Sequence, residues 1–227
     1  MKLVLFDIDG TLIRDDCAAR DAFAEALSEV YELEPELDQF DFSGRTDPEI
    51  TWMVLEGSGI PDQEIESRLD DLWISYIRGL QSRISRERVR LMPGIEELLQ
   101  ILANDPEITL ALLTGTIEPG ARTKLSPFDL NRYFAFGAFG SDSRFRNDPP
   151  PVAAERARQH LGMPFDMEDL VIIGDSIYDV RCTVPHGARS IAVATGITPA
   201  EMLLAEEPDH FFPTLEQTDD VVEAIRA

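Results

Sequence analysis

The sequence predicts an α/β protein with a doubly wound parallel sheet and an α-helical segment inserted after the first strand. Three observations predict this class. Short apolar segments alternate with segments of helical period, the pattern of strands joined by helices in a parallel sheet. Several strand segments are apolar almost throughout, as in strands covered on both faces. Between residues 15 and 88, by contrast, the pattern is helical, with no strand.

The predicted first strand, residues 3–6, runs into a turn that carries two carboxylates, Asp7 and Asp9. Side chains alternate along a strand, so these two are expected to project to the same side. Their like charges then require a cation or a shared proton. Gly10 permits a sharp turn. Ligands bind at the carboxyl ends of strands in open α/β sheets, so this turn is a candidate site.

The helical stretch contains three predicted helices. The first covers residues 15–31 and is followed by a loop over 35–43. The second covers residues 48–55, with Asp47 as its N-cap and Pro48 in its first turn. The third begins after Asp62 and carries one apolar stripe along residues 65–80. An arginine-rich linker returns to the α/β pattern. We therefore predict a core domain of residues 1–14 and 89–227 and an inserted helical domain of residues 15–88.

The remaining elements follow in alternation. Helices are predicted over residues 95–102, from 118, over 151–161, before Gly187 and at the C-terminal end. Strands are predicted over residues 108–113, 133–137, 170–173, 190–194 and 211–212, and a loop over 140–151.

Two later strands also end in polar residues and glycine. Thr114-Gly115-Thr116 follows one, and Gly174-Asp175-Ser176 with Asp179 follows the other. Parallel strands bring these ends to the edge that holds Asp7 and Asp9. Clustered carboxylates without His or Cys favour a hard cation, Mg²⁺ above all. Hydroxyls and backbone N–H groups beside such a cation suit a phosphoryl group.

Composition narrows the possible partners. The chain has 43 acidic and 20 basic residues and a formal net charge of −23, which disfavours nucleic acid and anionic membranes. An anion site therefore needs a metal and local Arg or Lys. Cys17 and Cys182 form no disulfide or metal pattern. No signal sequence or membrane span is evident, so a cytoplasmic location is predicted. The oligomeric state is not readable from the sequence.

These motifs, taken in order, resemble the haloacid-dehalogenase-like (HAD) hydrolase superfamily, in the branch with a helical cap. Gly44-Arg45-Thr46-Asp47 and Met92-Pro93-Gly94 are similar to segments of phosphoglycolate-phosphatase-like enzymes. The resemblance covers the whole chain. It implies a Rossmann-like HAD core with an inserted cap domain. It also implies a phosphoric monoester hydrolase that acts on a small phosphorylated metabolite.

The resemblance implies a role for each motif residue. Asp7 would be the nucleophile that forms an aspartyl-phosphate, and Asp9 the general acid and then the base. Thr114 and the N–H of Gly115 would hold the phosphoryl oxygens.

The resemblance also implies a metal site. Asp7, the backbone carbonyl of Asp9, and Asp175 would hold Mg²⁺, with Asp179 a ligand or a partner of the ligands. The ion would offset repulsion between the carboxylates and an anionic substrate.

One departure concerns a lysine that the family usually carries before the penultimate core helix. Residues 143–150 contain no lysine, and Arg146 is the predicted substitute. Arginine can bind phosphate bidentately, so Arg146 is a predicted phosphate-binding residue, although its larger planar group makes the swap non-conservative. Lys124 is the alternative, although its helical pattern favours a solvated side chain.

Substrate contacts are predicted on the helical side of the site. Arg45 is the candidate for binding a substrate anion, with a salt bridge to an acidic neighbour as the alternative. Arg14 and Arg20 are weaker candidates for the same role.

The leading functional prediction is a Mg²⁺-dependent phosphatase of small phosphate monoesters. The alternatives are a phosphomutase of the β-phosphoglucomutase kind and a non-catalytic binding or regulatory module. Haloacid dehalogenation is disfavoured because the dehalogenases lack the second aspartate, which Asp9 provides here.

Overall fold

A computed structural model of the chain describes residues 1–34 and 36–227. The strands are β1 (Lys2–Phe6), β2 (Ile13–Asp15), β3 (Val89–Leu91), β4 (Ile108–Leu113), β5 (Gly137–Ala138), β6 (Leu170–Gly174), β7 (Arg189–Val193) and β8 (His210–Phe212). The helices are α1 (Ala18–Tyr31), α2 (Asp47–Gly57), α3 (Asp62–Arg83), α4 (Ile95–Ala103), α5 (Glu118–Leu125), α6 (Pro149–Leu161), α7 (Ile177–Arg181), α8 (Ala200–Ala205) and α9 (Thr218–Arg226).

Six strands form one parallel sheet in the order β5-β4-β1-β6-β7-β8, which confirms the predicted fold class. β1 lies between β4 and β6, and its last residue, Phe6, is in register with Leu112 and Ile173. These three strands therefore end at one edge, and the polar residues after them meet there. Burial on both faces of the sheet explains why the strands are apolar throughout.

Helices α1 to α3 form a separate helical unit with its own apolar cluster, which includes Phe23, Leu27, Leu72 and Tyr76. The chain enters this unit through β2 and returns to the sheet domain through β3, and these two strands pair as an antiparallel ribbon. The sequence did not predict the ribbon, because three-residue strands lack a clear alternation. The domain boundaries at residues 14/15 and 88/89 stay a prediction.

Several predicted elements differ in detail. Strand β5 covers two residues instead of 133–137, and residues 130–133 form a 3₁₀ turn that brings Phe134 against Phe6, with ring centroids 6.0 Å apart. The predicted loop over 35–43 includes Pro35, which lies outside the described residues, and a 3₁₀ turn at Leu37–Gln39. Within the described residues, no helix combines the length and apolar character needed to cross a membrane.

The predicted N-cap of α2 is wrong by one residue. Thr46 caps the helix, because its Oγ1 accepts a hydrogen bond from Glu49 N at 3.1 Å. Asp47 instead accepts a hydrogen bond from Ile117 N at 2.9 Å, and its own N–H donates to Gly115 O at 2.8 Å. Asp47 therefore joins the helical unit to the loop after β4.

Candidate active site

Asp7 and Asp9 lie in the turn after β1, beyond the last strand residue. The expected strand alternation does not extend to them, and their carboxylates have different partners. Asp7 is 7% exposed and accepts a hydrogen bond from Arg146 Nη2 at 2.9 Å. Asp9, with a side chain 43% exposed, forms an ion pair with Lys124 Nζ at 2.5 Å. The repulsion expected between the two carboxylates is thus offset by two separate cations.

The turn itself packs against the end of β6. Gly10 has a φ of +88°, and a Cβ there would lie 2.5 Å from Asp175 Oδ2. Both facts require glycine at this position. Thr11 Oγ1 donates to Asp175 Oδ1 at 3.1 Å. The turn therefore holds Asp175 beside Asp7.

Three buried carboxylates, those of Asp7, Asp175 and Asp179, offer oxygen atoms that all lie within 4.8 Å of one another. Burial, reinforced by the charge of Asp179, raises the pKa of Asp7 to about 7. Burial and the charge of Asp7 raise the pKa of Asp175 well above its ordinary value. Crowded carboxylates that resist ionisation in this way fit a site for a metal ion. The Asp9 carboxylate lies outside this group.

Arg146 is the cation next to Asp7, and it is buried. A single nitrogen, Nη2, donates to Asp7 Oδ1 and to Leu113 O, each at 2.9 Å, and also to Asp179 Oδ1. Within the described residues, Nε and Nη1 are buried without a hydrogen-bond partner. The guanidinium therefore acts here as a point donor, as a lysine ammonium would. Asp179 is fixed in turn by the N–H and Oγ of Ser176, at 3.0 and 2.6 Å.

Lys124 was expected to be solvated, and that expectation is wrong: the residue is 3% exposed. Helix α5 packs against α3 of the helical unit, so the face that carries Lys124 is covered. Its ammonium contacts Asp9 Oδ2 and Thr116 Oγ1. Lys124 and Arg146 thus occupy two different places, one beside Asp9 and the other beside Asp7. The sequence held one signal for Lys124: it is one of only two lysines in the chain.

Thr114 and Gly115 follow β4 at the same edge of the sheet. Thr114 is buried, and its Oγ1 accepts a hydrogen bond from Thr116 N at 3.3 Å. A Cβ on Gly115 would lie 2.0 Å from the backbone oxygen of Arg45, so only glycine permits this close approach. The helical unit and the loop after β4 are therefore in direct backbone contact.

Arg45 forms the salt bridge that was the alternative to a substrate contact, with Glu49 as its partner. Its Nε donates to Asp41 O at 3.1 Å, and its guanidinium lies 5.2 Å from the centre of the Tyr178 ring. Arg45 also lines the cavity described next, so a substrate contact stays a prediction.

A cavity of about 380 Å³ lies between the sheet edge and the helical unit. Its sheet side is polar and includes Asp7, Asp9 and Thr114. The opposite side is mixed: it includes the apolar or aromatic side chains of Phe23, Phe42, Ile50 and Tyr76, and also the arginines Arg14, Arg20 and Arg45. Tyr76 belongs to the apolar stripe predicted along residues 65–80, and a helical period does not distinguish core side chains from those that line a cavity.

Fold and site together define an α/β enzyme with an acidic, metal-capable pocket at the carboxyl edge of a parallel sheet. The sequence model of the family described as haloacid dehalogenase-like hydrolase matches residues 4–193. The chain therefore belongs to the haloacid dehalogenase-like hydrolase family, as its motifs predicted.

Proteins similar to this chain in sequence or structure include phosphatases and a phosphomutase. A phosphoglycolate phosphatase from Vibrio vulnificus (strain YJ016) is 26% identical over 226 residues, covering 98% of this chain and 96% of that protein. A solved structure of a predicted phosphatase from Clostridium acetobutylicum has a TM-score of 0.72 at 21% identity, covering 98% of both chains. A β-phosphoglucomutase from Clostridium difficile has a TM-score of 0.70 at 16% identity, covering 100% of this chain and 97% of that one. The two structural likenesses show the fold, and the predicted class, a hydrolase with phosphatase relatives, is confirmed.

Proposed function

We propose that the protein is a Mg²⁺-dependent phosphatase that hydrolyses a small phosphate monoester through an aspartyl-phosphate on Asp7. The observation that carries the proposal is the position of Asp7. Its carboxylate lies in a buried acidic group, touches a buried cation, and lines a cavity beside Thr114. The same proposal includes a cytoplasmic location and a small phosphorylated metabolite as partner.

Separate residues supply the nucleophile, the acid and base, and the groups that bind phosphate. Asp7 attacks phosphorus while Asp9 gives a proton to the leaving oxygen, and Asp9 then takes a proton from the attacking water. Thr114 and the N–H of Gly115 bind phosphoryl oxygens. Arg146 holds Asp7 in place.

The metal would be held by Asp7, the backbone carbonyl of Asp9, and Asp175, with Asp179 beside them. Mg²⁺ supplies positive charge that lets an anionic nucleophile meet an anionic substrate.

Two features bear on the substrate. The Vibrio vulnificus relative is named a phosphoglycolate phosphatase, so 2-phosphoglycolate is the first candidate. The apolar part of the cavity wall, with Phe23 and Tyr76, also suits esters with a larger carbon skeleton. Arg14 lines the cavity, and within the described residues its guanidinium has no hydrogen bond or ion pair, so it is available to an anionic group of the leaving alcohol.

We expect phosphate release from at least one small ester in the presence of Mg²⁺, and loss of that release with excess EDTA. The panel contains 2-phosphoglycolate, sugar phosphates and an aryl phosphate. A hexose 1-phosphate with a trace of its bisphosphate tests the mutase alternative, for which isomer forms without free phosphate. Phosphate release that is unaffected by EDTA would contradict the metal requirement. Absence of turnover across the panel would favour the binding-module alternative.

Mg²⁺ is expected to raise the melting temperature more at pH 8 than at pH 5. The pKa of Asp7 is raised by burial to about 7 in the folded chain, from an ordinary value of 3.8. The stability that this group contributes is therefore full below about pH 4 and is lost as pH rises through 7. Mg²⁺ binds the ionised carboxylates, so it restores stability mainly at the higher pH.

At pH 8, Mg²⁺ at 100 times its Kd would add about 2.7 kcal/mol. For a chain of this size that corresponds to about 5–11 °C. Thermal melts with Mg²⁺ or EDTA at both pH values measure the difference. Equal shifts at pH 5 and pH 8 would refute the link to carboxylate ionisation.

A further inference from the structure

Lys124 makes an ion pair whose partner is the proposed acid. Its Nζ lies 2.5 Å from Asp9 Oδ2 and 3.2 Å from Thr116 Oγ1, and Thr116 Oγ1 in turn donates to Asp9 Oδ2 at 3.3 Å. The three groups form a closed triangle on one oxygen of Asp9. Within the described residues, Oδ1 of Asp9 has no hydrogen-bond partner. One carboxylate oxygen is thus held, while the other is available.

The two members of the ion pair differ in exposure. The Lys124 side chain is 4% exposed, whereas that of Asp9 is 43% exposed and lines the cavity. An exposed carboxylate on a turn would otherwise sample several rotamers. Lys124 Nζ itself has two contacts, Asp9 Oδ2 and Thr116 Oγ1, and Asp15, Asp47 and Tyr76 line the same cavity. The lysine is therefore well placed to orient Asp9 and poorly exposed to a substrate.

A purely structural role fits these observations less well. Burying an ammonium group is costly, and an apolar side chain of similar size commonly replaces a buried ion pair at little cost in stability. The ammonium has one carboxylate within hydrogen-bonding distance among the described residues, and it belongs to the residue proposed to move the proton.

We infer that Lys124 is a positioning residue. It holds Asp9 Oδ2 so that the carboxyl group presents Oδ1 to the leaving oxygen. This inference rests on the proposed function. In the step concerned, the bond from Asp7 to phosphorus forms, the bond from phosphorus to the leaving oxygen breaks, and the proton of Asp9 passes to that oxygen. A misplaced Asp9 would slow this step most when the leaving group needs the proton.

The dependence on the leaving group gives the test. A nitrophenolate departs with little protonation, whereas an alkoxide requires it. In Lys124→Met, we expect kcat/KM for an alkyl phosphate to fall about 100-fold and that for p-nitrophenyl phosphate to fall less than about 10-fold, since general acids contribute 10²–10⁴-fold. Lys124→Arg, which keeps the charge, should recover part of the alkyl activity. Lys2→Met, at the other lysine, should leave both rates unchanged.

Two further variants keep the test decisive. If Lys124→Met does not fold, Thr116→Val, which removes the second contact to Asp9 Oδ2, should slow the alkyl ester selectively. In an Asp9→Asn background, adding Lys124→Met should cost little, because the two residues act as one unit. Equal losses on both esters, or additive losses in the double variant, would overturn the inference. A wild-type protein that hydrolyses neither ester would instead refute the proposed function itself.

Discussion

Asp7→Asn is expected to reduce phosphate release by at least about a thousandfold, because an amide cannot replace the attacking carboxylate. The same change removes one charge from the buried group formed with Asp175 and Asp179. The metal-free variant should therefore melt at a higher temperature than wild type at pH 8, where repulsion among these carboxylates is greatest. Loss of activity would then accompany a gain in stability. Steady-state kinetics and thermal melts of the same preparation measure both effects.

Asp70→Asn is the matched control. Asp70 is an exposed residue of α3, away from the cavity, and its replacement should change neither rate nor melting temperature. Substantial activity in Asp7→Asn would rule out Asp7 as the nucleophile. A variant that is both inactive and less stable at pH 8 would point to a structural role for Asp7.

The second large effect is expected at Arg146. Arg146→Met would leave Asp7 and Asp179 buried without a cation, a loss of about 3–5 kcal/mol in the free energy of unfolding. We also expect a fall of about 100-fold or more in kcat, because Asp7 would lose its anchor. Arg146→Lys, in contrast, should keep activity within about tenfold of wild type. The reason is that one nitrogen makes every polar contact of the guanidinium, and a lysine Nζ can take its place.

Arg156 provides the contrasting control. Its guanidinium binds Asp142 through two nitrogens, each at 2.6 Å from a carboxylate oxygen, a geometry that lysine cannot reproduce. Arg156→Lys should therefore lose about 1 kcal/mol of stability, whereas Arg146→Lys should not. Chemical denaturation measures both variants. If Arg146→Lys is as inactive as Arg146→Met, the guanidinium makes a contact in the working enzyme that lysine cannot supply.

The sheet and the meeting of its polar strand ends were predictable because their causes are local in sequence. Apolar strands that end in Asp, Thr or Gly can be recognised directly in the sequence. Parallel topology then brings Asp7, Thr114 and Asp175 to one edge of the sheet. The burial of Lys124 was not predictable in this way. The helical period shows that α5 has an apolar face and a polar face. Whether the polar face, which carries Lys124, is buried depends on the position of α3, which the sequence does not show. The ribbon of β2 and β3 was missed because its three-residue strands are too short to show an alternating pattern.

That ribbon has a mechanical consequence. Gly10 N donates to Ile13 O at 2.8 Å, and Met92 N donates to Leu12 O at 3.0 Å, so the stem of the helical unit is bonded directly to the turn that bears Asp9. A change in the tilt of the helices would therefore be transmitted through the ribbon to this turn and would shift Asp9, the proposed acid. A substrate that contacts the helices would then act on Asp9 through the backbone as well, in addition to the side-chain contact that Lys124 makes.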